Sequence, residues 1–270
     1  VPDENQTDIA LALHFLPPDL GARVRALAEF GSELARARLI ASEPTLAAIR
    51  LQYWSDTIEK IYAQKPVSGN PMAETLARLI GEHGLPQSRF AAMIDAHMDS
   101  LAPAPFTDWA QLMGFVDATS ANVLRLCLMS CGLGATLADA LAQPGGQAWG
   151  LAELMRALPK WAARRSHWLP TNDVSGRDGE DLFAGNATQP VLATLSEAQA
   201  RIQLARKALN LALRQIPIGD LFPILAPIAL ANRHGDVATP KLGPNWVQGA
   251  PLSLLERQVR LTWAVARRRV

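Results

Sequence analysis

The stretch LAELMRALPKWAARRSHWLP, Leu151 to Pro170, constrains this chain more than any other. Leu151, Leu154, Met155 and Leu158 recur at i, i+3, i+4 and i+7, the spacing of one apolar helix face. Pro159 follows at once. It has no backbone donor and its ring crowds the preceding turn, so a helix is predicted to kink or end there. Arg156, Lys160, Arg164 and Arg165 gather around that break, with Glu153 as the nearby acid. No carboxylate pair stands in reach to supply the oxygen ligands a hard divalent cation needs. The segment reads as the wall of a cleft that attracts anions and cannot build a Mg2+ site.

The same helical period runs through the rest of the sequence. A short helix is expected around Asp8–Phe15, and the Pro17-Pro18-Asp19 turn caps a long one that carries Leu20, Val24, Leu27 and Leu34 on one face. Ser42-Glu43-Pro44 opens a helix to Ala63, with Leu46, Ile49, Tyr53, Ile58, Ile61 and Tyr62 as its apolar side. Further helices are expected at Met72–His83, stopped by Gly84, from Pro86 to Leu101, and from Trp109 to about Cys131. Gly132 and Gly134 punctuate the chain, a short helix covers Leu137–Ala142, and Gly145-Gly146 lead into the opening stretch. Thr171 to Gln189 is polar and glycine-containing, a surface loop or lid at about 171–189. Helices return at Pro190–Ile216, Gly219–Asn232 and Leu252–Arg269, with a Gly- and Pro-rich loop at His234–Pro251. No alternating strand pattern or repeat intervenes. The expectation is an all-α chain, one domain over 1–270.

Charge and composition remove several functions. A formal net charge of +1 lacks the basic excess of a nucleic-acid binder. Cys127 and Cys131 have no His or Cys partner at ligand spacing and read as reduced, buried thiols of an intracellular protein. The opening VPDENQTDIA lacks the basic-then-apolar pattern of a secretory signal. No run of apolar residues approaches a bilayer span, and LFPILAPIALA, Leu221 to Ala231, reads as a kinked core helix. Asp95 and Asp99 lie one helical turn apart around His97, but no second acidic helix completes a metal cleft, so they read as a solvated face. Phosphate-loop and nucleophile-elbow patterns are missing.

Several pieces in order resemble the squalene/phytoene synthase family of head-to-head prenyl transferases: HFLPPDLGARVRALAEF, LQYWSDTIEKIY, GLPQSRFAAMIDAHMDSL, FVDATSANVLRLCLMSCG, the arginine-to-LP run ending at Pro170, and PLSLLERQVRLTWAVARR. The resemblance implies a single-domain, isoprenoid-synthase-like helical bundle around a central cavity. Active members hold Mg2+ on the substrate diphosphates with two facing aspartate-rich helical motifs. At the first motif this chain has FGSELARARLI, with Ala35, Arg36 and Leu39 at the acidic positions. At the second, Ala157 and Trp161 stand for the aspartates, while Arg156 and Leu169-Pro170 persist. Ionising a prenyl diphosphate relies on metal ions to neutralise the leaving group. Substitution by Ala, Leu, Trp and Arg removes their ligands, so neither a metal site nor a cofactor is expected.

FGSELARARLIASEPTLAAIRLQYWSDTIEKIY resembles one branch of the family, the mitochondrial factors that assemble respiratory complex I. The likeness rests on Glu33-Leu34-Ala35, on Arg50, Gln52 and Trp54, and on Arg164, Arg165, Leu169 and Pro170 in an RRxxxLP ending. It implies a pseudoenzyme whose partners are complex I subunits or assembly intermediates, in a bacterial cytoplasm or mitochondrial matrix, with peripheral contact to the inner membrane and a lipid or prenyl ligand as a further partner. A divergent prenyl transferase is the alternative. Arg36, Arg156, Trp161, Arg164 and Arg165 are the candidate cleft residues. Their cations either pair with Glu29, Glu33 and Glu153 across helices or hold an anionic head group.

Overall fold

A computed structural model describes residues 4–40, 44–238 and 252–270. Twelve helices follow in order among these: α1 (Glu4–Leu13), α2 (Pro18–Ile40), α3 (Pro44–Tyr62), α4 (Pro71–His83), α5 (Gln87–Asp99), α6 (Trp109–Val116), α7 (Asn122–Ser130), α8 (Ala135–Ala162), α9 (Gly176–Phe183), α10 (Gln189–Gln215), α11 (Ala231–Ala238) and α12 (Leu254–Arg267). No strand occurs among the described residues. Local chemistry explains several ends. Asn70 accepts from the backbone N–H groups of Met72 and Ala73, Pro71 occupies the first turn of α4, and Gly84 closes it at φ 58°. Asp108 caps α6 through Gln111 N at 2.9 Å, and Ser253 caps α12 through Glu256 N at 3.2 Å.

Helix α8 is the spine. It packs along α10, α7 and α11, and α7 in turn packs on α2. It is one helix from Ala135 to Ala162 and runs through both Pro144 and Pro159, so the expected break at Pro159 does not end it. Ala140, whose carbonyl loses its donor to Pro144, is exposed, and water can take that bond. Gly145 and Gly146 are likewise helical rather than a turn. A Cβ on Gly146 would stand 2.3 Å from Ala121 Cα, and one on Gly150 would stand 2.7 Å from Ser120 Oγ. These glycines are where α8 meets a π-helical turn, Asp117–Ala121, that joins α6 to α7.

The long apolar run Trp109–Ser130 thus forms a continuous rod, α6 through α7. By length and composition it could cross a membrane, contrary to the sequence reading that no such run exists. Half of its most apolar window is buried within the bundle, however. Arg125, 4 % exposed, holds the rod in place by donating to Asp117 at 2.8 Å and to Asp139 of α8 at 2.7 Å.

The helix expected at Gly219–Asn232 is two 3-10 turns, Gly219–Ile224 and Ala226–Leu230, containing Pro223 and Pro227 respectively, before α11 begins. The polar stretch 171–189 contains α9, started by a reciprocal capping box between Ser175 and Asp178. Much of the expected loop at His234–Pro251 lies outside the described residues. In α3 the buried side is Ala47, Leu51, Trp54, Ile58 and Ile61, whereas Leu46, Ile49 and Tyr53 face outward.

The inward side chains of α2 (Leu27, Phe30, Leu34) and α8 (Leu151, Met155, Leu158) are at most 1 % exposed. A side chain lining an open cavity would keep accessible surface, so none of these six lines one. Gly146→Ala should cost about 1–3 kcal/mol or more through overpacking against backbone. Gly134→Ala, with nothing within 4 Å of its added methyl, should be near neutral. Urea midpoints of the two variants check the contrast.

Candidate functional site

The candidate residues on α8 sit along its C-terminal half. Trp161 is 5 % exposed, while Glu153, Arg156 and Ala157 are half-buried. The helix ends one residue past Trp161, and Arg165 takes a left-handed turn at φ 52°. That turn carries Arg164 and Arg165 into solvent. Both are exposed, and Arg165 pairs with Glu180 of α9 and lies 5.4 Å from the Phe183 ring centroid. Exposed as they are, they do not rim a shielded opening. In place of a cleft cation, the next turn brings in His167, whose ring packs against Phe183 and whose Nδ1 lies 3.1 Å from Leu169 O.

On α2, Ala35 is exposed and Arg36 Nε donates to Ser32 O at 3.2 Å. The side chain of Leu39 lies outside the described residues. Glu33 is taken by Arg50 at 2.7 Å, so an ordinary ion pair forms here, with a partner different from those expected. The structure does not bring Arg36 together with Arg164 and Arg165.

Arg156 instead meets a group invisible to local pattern. Asp8 of α1 is fully buried. Its carboxylate accepts from Arg257 Nη1 of α12 at 3.1 Å, lies 2.8 Å from His234 Nε2 of α11, and stands 3.9 Å from Arg156 Nη1. Trp149, two turns back on α8, closes the group, its ring centroid 6.0 Å from that of His234 and 5.8 Å from the Arg156 guanidinium carbon. Burial lowers the pKa of His234, and the nearby arginines add to the effect against the opposing pull of Asp8. An ionised carboxylate only accepts, so the neutral imidazole places its proton on Nε2. Among the described residues, no nucleophile is seen bonded to the group. It is a buried charge lock between α1, α8, α11 and α12.

Other candidates resolve simply. Asp95 and Asp99 are exposed on α5, and His97 packs edge-on against Phe115 at 5.5 Å. Among the described residues, no three His, Cys, Asp or Glu side chains gather where they could hold a metal ion. Cys127 is a free, buried thiol, its pKa pushed up by burial, and Cys131 is free and half-buried. A shallow depression of about 370 Å3 is lined by Trp109, Asp173, Pro190, Ala193, Thr194 and Glu197. It offers two carboxylates and no nucleophile–base pair.

This arrangement of helices is that of isoprenoid synthases. It superposes on a dehydrosqualene synthase crystallised with a ligand at a TM-score of 0.80, with 14% identity over 98% of this chain and 92% of that one. It also superposes on squalene synthase HpnC from Alicyclobacillus acidocaldarius at 0.66, with 18% identity over 98% and 89%. The family model for squalene/phytoene synthases matches residues 3–256, and the chain belongs to that family. Among curated proteins it is similar to NADH dehydrogenase (ubiquinone) complex I, assembly factor 6, of Homo sapiens: 26% identical over 219 residues, 80% of this chain and 66% of the human protein. The mouse counterpart is 27% identical over 210 residues, 77% and 62% respectively. The chain thus spans just under two thirds of the length of these relatives.

The residues expected at the family's aspartate positions offer a divalent cation no ligand set. Ala35, Ala157 and Trp161 have no ligand atom, and Arg36 is a cation.

Removing the charge lock's carboxylate should be costly. Asp8→Ala leaves the buried Arg257 and the half-buried Arg156 without it and should lower the unfolding free energy by about 3–5 kcal/mol in denaturant titration. A pH effect should accompany the buried rings. Burial brings His97 down from 6.5 to about 4, and burial also lowers His167 and His234. The folded chain keeps these rings neutral where the unfolded chain takes up protons. Their contribution is therefore complete above 6.5 and is lost as pH falls through that value toward about 4. Stability should decline across that window, and less steeply in His97→Gln.

Proposed function

We propose that this chain is a non-catalytic member of its family that helps assemble respiratory complex I, NADH:ubiquinone oxidoreductase, working inside the cell at the inner face of an energy-transducing membrane. The observation that carries the reading is the chemistry of α8. Where a prenyl transferase would need carboxylates to hold metal on a diphosphate, Ala157 is half-buried and Trp161 is buried, and neither can ligate. Arg156 faces inward to Asp8 rather than outward to a ligand. The similarity to complex I assembly factor 6 from several animals supports the biological role. Its partners on this reading are complex I subunits or assembly intermediates, and a lipid or prenyl ligand is secondary.

Two measurements test it. The purified chain, given farnesyl or geranylgeranyl diphosphate with Mg2+, should release no pyrophosphate above background. Metal-dependent turnover abolished by substitutions on α8 would instead make it a divergent prenyl transferase. Deleting the gene in its own host should deplete assembled complex I, and a copy carrying Trp161→Phe, which still cannot ligate metal, should restore it. Assembly unchanged by the deletion would end the assembly reading.

A further inference from the structure

Helix α12 is apolar on two sides, and only one of them faces the protein. Inward, Leu261 is fully buried, Ala264 nearly so, and Arg257 reaches Asp8. Outward, Leu255, Val259 and Trp263 follow one another four residues apart and form one line along the helix. They are 69%, 59% and 59% exposed. Packing within the chain does not account for that line, because the opposite face already anchors the helix.

The charges around the line have one sign. Arg260 flanks it, and Arg267, Arg268 and Arg269 end it. The guanidinium of Arg267 lies over the Trp263 ring, 4.0 Å from its centroid. This arginine run is held in place rather than trailing. Asn210 of α10 bonds both the N–H of Val270, at 3.0 Å, and its carbonyl. That contact sets the run beside α10, where the charges of Arg260 and Arg269 act on Arg206. Glu256 is the neighbouring acid, and Arg233 and Arg260 occupy it. Among the described residues, no carboxylate comes within 4.0 Å of Arg206, Arg267, Arg268 or Arg269. The exposed line on α3, by contrast, has Arg50 beside it, already paired with Glu33.

We propose that the outward face of α12 is a docking surface for an anionic phospholipid bilayer. Aliphatic side chains and a tryptophan form the crest of this face, and unbalanced arginines stand at its side and end. A helix lying in the headgroup region has this layout: the apolar crest enters the acyl boundary, the indole sits at headgroup depth, and arginines reach the phosphates. Charge complementarity selects a negative surface. The inference deepens the membrane-face reading given above and rests on it for its biological setting only.

The test is cosedimentation of the full chain with vesicles of phosphatidylcholine alone and of equimolar phosphatidylcholine and phosphatidylglycerol. Binding is expected to the second and not the first, and should weaken with added salt. Arg267→Gln, Arg268→Gln and Arg269→Gln should each lower it about fivefold. Val259→Ser with Trp263→Ser should abolish it. Because all these side chains are exposed, the thermal midpoints should hold. Absence of binding by the unaltered chain, or binding indifferent to both sets of variants, overturns the proposal. So does a dimer in sedimentation equilibrium that Trp263→Ser dissociates, since a second copy would then cover the face. Complex I in the deletion host is a separate measurement, so the docking surface and the assembly role can fail independently.

Discussion

The structure depends on the close approach of α8 to the π-helical turn at Asp117–Ala121. Helices normally keep their axes apart by the thickness of the side chains between them. Here Gly146 and Gly150 remove that thickness, and backbone meets Ala121 and Ser120 directly. The gain is room: with one side of α8 drawn tight against the α6–α7 rod, its other sides reach α10 and α11. Arg125 reinforces the same seam by holding Asp117 on one element and Asp139 on the other. Its buried guanidinium is compensated on both sides, the condition under which a charge can be kept in a core.

Much of this was legible along the chain because helices announce themselves by period. On α10 the helical spacing of Leu192, Leu195, Ala198, Ile202, Ala205, Leu209 and Leu213 marks one face, of which the middle five are buried and the two at its ends half-buried. Period identifies an apolar arc, however, and does not say which part of it a neighbour covers. In α3 that difference leaves Leu46, Ile49 and Tyr53 in solvent. Glycine is ambiguous for a similar reason. The pair Gly145-Gly146 looks like a turn in one dimension, and only the position of Ala121 shows it to be a contact. Pro159 misleads less than it threatens, since it falls one turn from the end of α8.

The candidate site was legible in its parts and hidden in its wiring. Arg156 was singled out, but its partner Asp8 lies in a different helix and no spacing rule connects them. The arginines after Pro159 were grouped with it by proximity in sequence. One left-handed residue, Arg165, suffices to send them to the surface. Charge on this protein is consequently divided into an interior set that balances itself and an exterior set around α12 that does not.

The separation in sequence within the charge lock has a bearing on how the molecule comes into being. Asp8 is made well before its partners His234 and Arg257, which follow 226 and 249 residues later. On the ribosome, α1 emerges with a carboxylate that belongs in the core and has none of the groups that make its burial tolerable. It must wait in water until α11 and α12 have been translated. Helix α1 is then among the later ones to settle, and chaperones meet a nascent chain in which it stays unsheltered until those helices follow.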